Sequence, residues 1–359
     1  MSSDLQIKQF ELSDQAALLS FLCRAYPGEQ RRSDPTFWKW HFLDNPYVGL
    51  DDIPVWLAMD GSEIVGQMAT IPVKLRAGQE EVRALWSIDF VVLAQYRGRG
   101  LGKRLVRTAQ GTYDETMMEL GHNEQSGAVF RNLDWVEMGN IKRFHKLLFP
   151  GNAIREVSRR GLVRDAVNLI YAPFRRTMSA QPEEGAELRE VVDFDSSFDD
   201  LWRDASAQWQ CTVERESRFL DWQYRKQPGK KFDVLGYYEK GCLMGYVVLF
   251  FRKAESDDVI SKAAITDICY GPTNSEKVID ALLAGAVQLA IKRRAGGLVT
   301  DILDARVEKG LLQLGFWRIK KSPPFMVKTV GKHKLMFEKA NWFLTRGDAD
   351  ISIFEDPNL

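Results

Sequence analysis

Apolar positions along the first 150 residues change period several times, and each change marks an element. Alternation in LQIKQFE (5–11) predicts a strand. SDQAALLSFLCRAY (13–26), opened by a Ser/Asp cap, predicts a helix, and DPTFWKWHFL (34–43) a second, aromatic one. PVWLAM (54–59) and EIVGQMATIPVKL (63–75) are apolar runs joined at Asp60-Gly61, a hairpin signal. LWSIDFVVL (85–93) predicts a further strand, followed by a glycine-rich turn. In LGKRLVRTAQGTYDETMM (101–118), Leu101, Leu105, Val106, Ala109, Tyr113 and Met117 recur at three- and four-residue steps, as one buried helical face requires. MMELGH (117–122) reads as strand and SGAVFRNL (126–133) as helix, before a final apolar stretch.

The pattern then repeats. FWKWHFLDNP (37–46) is echoed by FLDWQYRKQP (219–228), VGQMA at Gly66 by MGYVV at Gly245, SIDFVV at Asp89 by ITDICY at Asp267, and NLDW (132–135) by QLGF (313–316). The pairs keep one order and an offset of roughly 180 residues, which points to an internal duplication. SAQPEEG (179–185) has linker chemistry. The expected organisation is a first domain over 1–155, a linker region over 156–185, a second domain over 186–330 and a tail over 331–359.

Composition changes this picture little. The chain has 359 residues, enough for two domains, and 45% apolar with 27% charged residues suits two soluble cores. Lys plus Arg and Asp plus Glu both total 49, so no global field draws the protein to nucleic acid or to a membrane. No uncharged apolar run reaches about 18 residues, and the first residues lack a signal-peptide core. Cys23, Cys211, Cys242 and Cys269 are scattered, as buried thiols of a reducing compartment would be. A cytoplasmic location is expected.

The candidate chemistry lies in VVLAQYRGRGLGKRLV (91–106). Glycines between a strand and a basic helix start suit an anion. A phosphate-binding GxxxxGK[ST] loop would need Gly at Arg97 and Ser or Thr at Arg104. A dinucleotide turn needs Gly where Lys103 stands, and the kinase glycine loop fails likewise. Gln95-x-x-Gly98-x-Gly100 instead resembles the coenzyme A loop of the GCN5-related N-acetyltransferases (GNAT). The downstream segment NEQSGAVFRNLDW (123–135) is similar to that family's Asn-x-x-Ala-x-x-x-Tyr-x-x-x-Gly-Phe pattern, with Asn123, Ser126, Phe130, Asp134 and Trp135 on its marked positions.

The resemblance implies the fold class α/β (α+β), as two acyl-CoA N-acyltransferase folds in tandem, each a mixed central sheet flanked by helices, the second copy degenerate. In the first copy it implies that Arg97, Gly98, Arg99, Gly100, Leu101, Gly102 and Lys103 hold the pyrophosphate of acyl-CoA. Backbone groups of Phe90, Val91 and Val92 would take the pantetheine and the acyl carbonyl, with Asn123 and Phe130 on the helix alongside. Phe130 stands where many members have a tyrosine acid, and a phenyl ring donates no proton. Asp89 is a candidate base, against which stands its counterpart Asp267 in a half with no cofactor loop. Trp38 and His41 are candidates for the acceptor site, although helical spacing suits them equally to a core. Asp348 and Asp350 lie in an acidic turn of the tail, suited to a cation or an amine but more commonly solvated turn carboxylates.

The expected activity is transfer of an acyl group, most simply acetyl, from acyl-CoA to a primary amine of a small molecule or amino sugar, by direct attack and without a metal. A homodimer is left open. Two rivals remain: a non-catalytic acyl-CoA sensor, and an aminoacyl transferase of the peptidoglycan-bridge type. The intact glycine loop and neutral charge weigh against the second rival.

Overall fold

The Asp-Gly pair at 60–61 closes the hairpin its sequence calls for: Gly61 takes a φ of 60° and Asp60 pairs with Glu63. The computed structural model describes residues 5–49, 52–113, 115–154, 157, 160–174, 185–253, 259–329 and 333–349. The amino-terminal half supplies β1 (Leu5–Gln9), β2 (Val55–Asp60), β3 (Glu63–Ala77), β4 (Glu80–Val92), β5 (Thr116–Leu120), β6 (Val136–Asn140) and β7 (Lys142–Leu147). Its helices are α1 (Gln15–Ala25), α2 (Pro35–Phe42), α3 (Leu101–Thr112) and α4 (Glu124–Arg131), with α5 (Pro150–Ala153) and α6 (Gly161–Ile170) after them.

The rest of the chain forms β8 (Ala186–Glu190), β9 (Cys211–Val213), β10 (Phe232–Glu239), β11 (Cys242–Lys253), β12 (Ile260–Tyr270) and β13 (Gly297–Leu303). β14 (Trp317–Ile319), β15 (Pro324–Lys328) and β16 (Leu344–Thr345) complete the strands. Helices α7 (Ser196–Ala205), α8 (Ser217–Leu220), α9 (Ser275–Lys292) and α10 (Ala305–Gln313) belong to this half.

Two compact units result. The first takes residues within 1–140, 226–229 and 324–341, and its strands lie in the order β1-β2-β3-β4-β5-β15-β6. The second takes 141–225, 230–323 and 342–359, in the order β8-β10-β11-β12-β13-β7-β14, with β16 added beside β13. The orders are the same, position for position. In each unit the sixth strand comes from the other half of the sequence, β15 in the first and β7 in the second.

The contiguous division at 155 and 186 is therefore not the one the contacts draw. β7 belongs to the second sheet, β15 to the first, and the expected tail is split at 341. An exchanged strand leaves no mark in composition, which is why the sequence does not betray it. The linker chemistry at 179–184 lies outside the described residues, and helix α6 occupies part of 156–185.

The repeat is carried into packing. Phe37 and Trp40 meet at 5.4 Å between ring centroids, and Phe219 and Trp222 at 5.5 Å. Asp134, standing where the family pattern has Gly, has a φ of 59°, and its counterpart Gly315 has 78°. Both positions need a left-handed backbone, and Asp is among the residues that tolerate one. α3 is shorter than its periodicity predicts: it ends at Thr112, and 116–120 is strand. Gly111 and the β-branched Thr112 weaken the last turn, while Tyr113 packs edge-on to Trp56 at 5.8 Å. Of the four thiols, Cys211 and Cys269 are buried, whereas Cys23 and Cys242 are exposed.

Candidate active site

β4 is interrupted just where chemistry was expected. Its register against β3 slips between Gln67 and Ala69, and Asp89, in the slip, adopts a φ of 42°. This is a β-bulge, which bends a strand and redirects its neighbours. Gln67 secures it by donating its side-chain amide to the Asp89 carbonyl at 3.2 Å. On the other side of β4, the parallel pairing with β5 covers only Ala84–Trp86 against Thr116–Met118. Beyond Trp86 the two strands part. Phe90, Val91 and Val92 lie beside that opening and are half-buried.

The chain leaves β4 through a short turn at Ala94–Tyr96 and reaches an exposed loop, Arg97–Gly100. Gly98 and Gly100 have φ of 77° and 73°, values that cost an L-residue about 1 kcal/mol or more. Gly100 caps α3, and no side chain caps the helix start. The first N–H groups of α3 thus remain available at the positive end of its dipole. Gly102 serves packing: a Cβ there would lie 3.0 Å from the Phe90 ring. Leu101 is buried under the loop, and Lys103 is exposed.

The basic side chains divide. Arg97 donates Nε to the Val92 carbonyl at 2.9 Å, bracing the loop. Arg99 lies over the Tyr96 ring at 5.5 Å, and the Tyr96 hydroxyl donates to Asp60 at 2.8 Å. That bond raises the Tyr96 pKa above its ordinary value, since ionisation would face the Asp60 carboxylate. Arg104 is turned away, onto the Leu5 carbonyl at 2.7 Å. Asn123 caps α4, its side-chain oxygen accepting the Ser126 N–H at 2.9 Å.

Several residues stand elsewhere than their motifs suggest. Phe130 is completely buried, with Trp135 at 4.6 Å and Phe90 at 5.6 Å, so it supports the bulge from below. Trp38 and His41 are both 1% exposed and packed among aromatic rings, so neither presents a surface to an acceptor. His41 stacks on Trp40 at 5.3 Å, and burial pushes its pKa down to about 3, with Arg32 and Arg31 adding to the shift. Asp89 is paired with Arg32, a partner the sequence reading did not supply. Asp348 is no solvated turn carboxylate: it is buried and accepts two bonds from Arg215, at 2.8 and 2.9 Å. Asp350 lies outside the described residues.

The second unit shows the counterpart of this site. β12 and β13 also pair only briefly, at Ala263–Leu298 and Ala264–Val299, and then part. Here β16 pairs with Ile302 and Leu303, and a Cβ on Gly347 would lie 3.1 Å from the Thr266 carbonyl of β12. The tail thus fills the opening. Arg215 pins it by pairing with both Asp267 and Asp348, and the Thr345 hydroxyl donates to Asp267 at 2.9 Å.

Residues 6–126 match the family model described as an acetyltransferase (GNAT) domain. No curated protein matches the chain in sequence. Among solved structures, a probable N-acyltransferase from Enterococcus faecalis V583 is similar with a TM-score of 0.59 at 13% identity, over 91% of this chain and 73% of that one. Saccharomyces cerevisiae N-myristoyltransferase with bound myristoyl-CoA gives 0.61 at 11%, over 91% and 83%. A putative acetyltransferase from Pyrococcus horikoshii gives 0.53 at 14%, over 96% and 94%. These likenesses concern the fold. The family match covers the bulged strand, the glycine loop and the start of α4, so residues 6–126 carry a GNAT acetyltransferase domain, and the strand order of its unit is repeated in the second, consistent with a tandem of that fold.

Proposed function

We propose that the first unit binds acyl-CoA and transfers its acyl group to a primary amine of a small molecule, an amino sugar being one candidate class. The observation that carries this reading is the parting of β4 and β5 directly before an uncapped helix start flanked by left-handed glycines. Main-chain N–H groups at Gly98–Lys103 suit the pyrophosphate, with Arg97, Arg99 and Lys103 adding positive charge. The edge of β4 at Phe90–Val92 suits the pantetheine amides and the acyl carbonyl, whose oxygen gains charge when the amine attacks.

The amine nitrogen forms a bond to the thioester carbon, and collapse of the adduct breaks the carbon–sulfur bond. The nitrogen's surplus proton passes to water, and the departing thiolate takes a proton from solvent. Asp89 is assigned a positioning role in place of the base considered from sequence, because one of its oxygens is held by Arg32 and the unequipped copy preserves an equivalent pair, Arg215–Asp267. Phe130 supplies no proton.

The test is calorimetric titration with acetyl-CoA, coenzyme A and a longer acyl homologue, joined to release of free thiol with a panel of primary amines. Absence of heat with every ligand defeats the reading. Binding without thiol release from any amine would make the protein an acyl-CoA sensor.

A further inference from the structure

Helix α6 (Gly161–Ile170) is turned the opposite way from a helix that builds a core. Its buried residue is Asn168, whose side-chain oxygen accepts the Gly151 N–H at 2.9 Å and whose amide donates to the Asn152 side chain at 3.0 Å. Asn152 in turn donates to the Arg294 carbonyl. The contact at Gly151 is close: a Cβ there would lie 2.4 Å from the Arg164 carbonyl oxygen. These bonds fix the rotation of the helix about its axis.

The fixed rotation sends the apolar face outward. Leu162, Val163, Ala166, Leu169 and Ile170 fall within an arc of about 120°, and Leu162 is 90% exposed, Leu169 and Ile170 75% each. Five of the eleven exposed large apolar side chains among the described residues lie between Ile154 and Ile170. They form a patch, and patches of this kind mark contact surfaces.

Charge identifies what would cover it. Residues 155–176 contain six arginines and two acids, a net charge of +4 in a chain whose total is zero. Beside α6 a recess of about 160 Å³ is lined by Arg164, Arg293, Arg294 and Asn152. The acids there among the described residues are Asp165, which pairs with Arg164 at 3.2 Å and Arg294 at 3.6 Å, and Asp233, which pairs with Arg293 at 2.7 Å. Three guanidinium groups face two carboxylates, so one positive charge is in surplus. A second copy of the chain would bring the same positive set and be repelled. The stripe is also too small for a protein partner: a ten-residue helix about 15 Å long and about 10 Å across presents roughly 150 Å², far short of the roughly 800 Å² per side of a stable protein interface.

We propose that α6 docks the protein on an anionic phospholipid surface, with the leucine and isoleucine side chains at the acyl boundary and Arg160 and Arg164 on headgroup phosphates. No helix among the described residues is long and apolar enough to cross a membrane, so the attachment is lateral.

The experiment is co-sedimentation of the full chain with vesicles of phosphatidylcholine alone and of phosphatidylcholine with phosphatidylglycerol. The wild type is expected to sediment with the anionic vesicles, more weakly in high salt, and inorganic phosphate at matched ionic strength should not displace it. Leu162→Gln/Leu169→Gln lowers partitioning at least about tenfold with an unchanged circular dichroism spectrum. Leu312→Gln, an exposed leucine on α10, leaves it unchanged. Equal sedimentation with both vesicle types, or wild-type partitioning by the double variant, overturns the proposal. So does self-association that the double variant abolishes while neither protein binds vesicles.

Discussion

Arg32, on the turn leading into α2, is paired with Asp89 in the bulge of β4, the two side chains being only 13% and 4% exposed. The pair ties the helical layer to the bulge of β4, where the strand changes course. Removing Arg32 leaves the nearly buried Asp89 carboxylate uncompensated, a cost of about 3 kcal/mol, whereas Arg32 without Asp89 still pairs with Glu29 at 2.5 Å. Arg32→Gln should therefore lower the thermal midpoint markedly, and Arg32→Gln/Asp89→Asn, which keeps an αL-tolerant residue at a φ of 42°, should recover much of the loss. As a positioning residue, Asp89 leaves the shape of the pH–rate profile alone when it is replaced. Loss of an ionisation from the profile of Asp89→Asn would instead make it the base.

The glycine loop allows substitutions with graded outcomes. A Cβ at Gly100 meets nothing within 4 Å, so Gly100→Glu suffers only the left-handed backbone and the new charge. The protein should stay folded and lose about a hundredfold in coenzyme A affinity, roughly 2.7 kcal/mol by calorimetry. Gly102→Ala pushes on Phe90 through a 3.0 Å contact and should weaken binding roughly fivefold by displacing the edge of β4. Equal affinity of Gly100→Glu and wild type would place the ligand elsewhere.

The sequence carried those features that rest on local chemistry. The Asp60-Gly61 turn and the left-handed glycines follow from what single residues can adopt, whereas the Ser/Asp cap expected at the start of α1 is not formed: the Asp14 carboxylate instead accepts from the Glu11 N–H at 3.0 Å and from Lys8 at 2.7 Å. The repeat was legible because Phe37–Trp40 and Phe219–Trp222 keep their spacing. Partners distant in sequence were not legible: Arg32 with Asp89, Arg215 with Asp348, and the exchange of β7 and β15 all depend on topology. Trp38 and His41 mislead for a related reason, since a helical stripe does not reveal which of two faces is covered.

Acid should destabilise both units. Burial holds His41 down at about 3 and, with Lys262 adding repulsion, His145 at about 4, against an ordinary value of 6.5. Both are neutral in the folded protein and take up protons on unfolding. Their contribution is full above pH 6.5 and is lost as pH falls toward 4 and 3, on the order of 4 kcal/mol for His41. Asp348, pushed up to about 6 by burial, acts in the opposite direction between pH 6 and its ordinary 3.8, and offsets part of the loss. Thermal midpoints measured from pH 7 to pH 4 should therefore fall, and His41→Phe should flatten the curve. An unchanged slope in that variant would remove His41 as its source.

The two units should differ in ligand capacity, because the second opening is filled by the chain's own tail. β16 occupies the edge of β13 at Ile302–Leu303, and Arg215 holds it through Asp348 while also pairing with Asp267. Nothing comparable to the Gly98–Gly100 pair precedes α9, whose cap is Asn274 at a φ of 52°. Calorimetry should accordingly give one coenzyme A site per chain, not two. Asp348→Asn withdraws one of two carboxylates from Arg215, Asp267 still holding it, and should destabilise the second unit by about 2 kcal/mol. Hydrogen exchange should then rise in β13 and β16 while the affinity of the first unit stays the same. A second site appearing in that variant would show that the tail alone had closed the cleft; one site in both proteins would show that the missing glycine loop is sufficient.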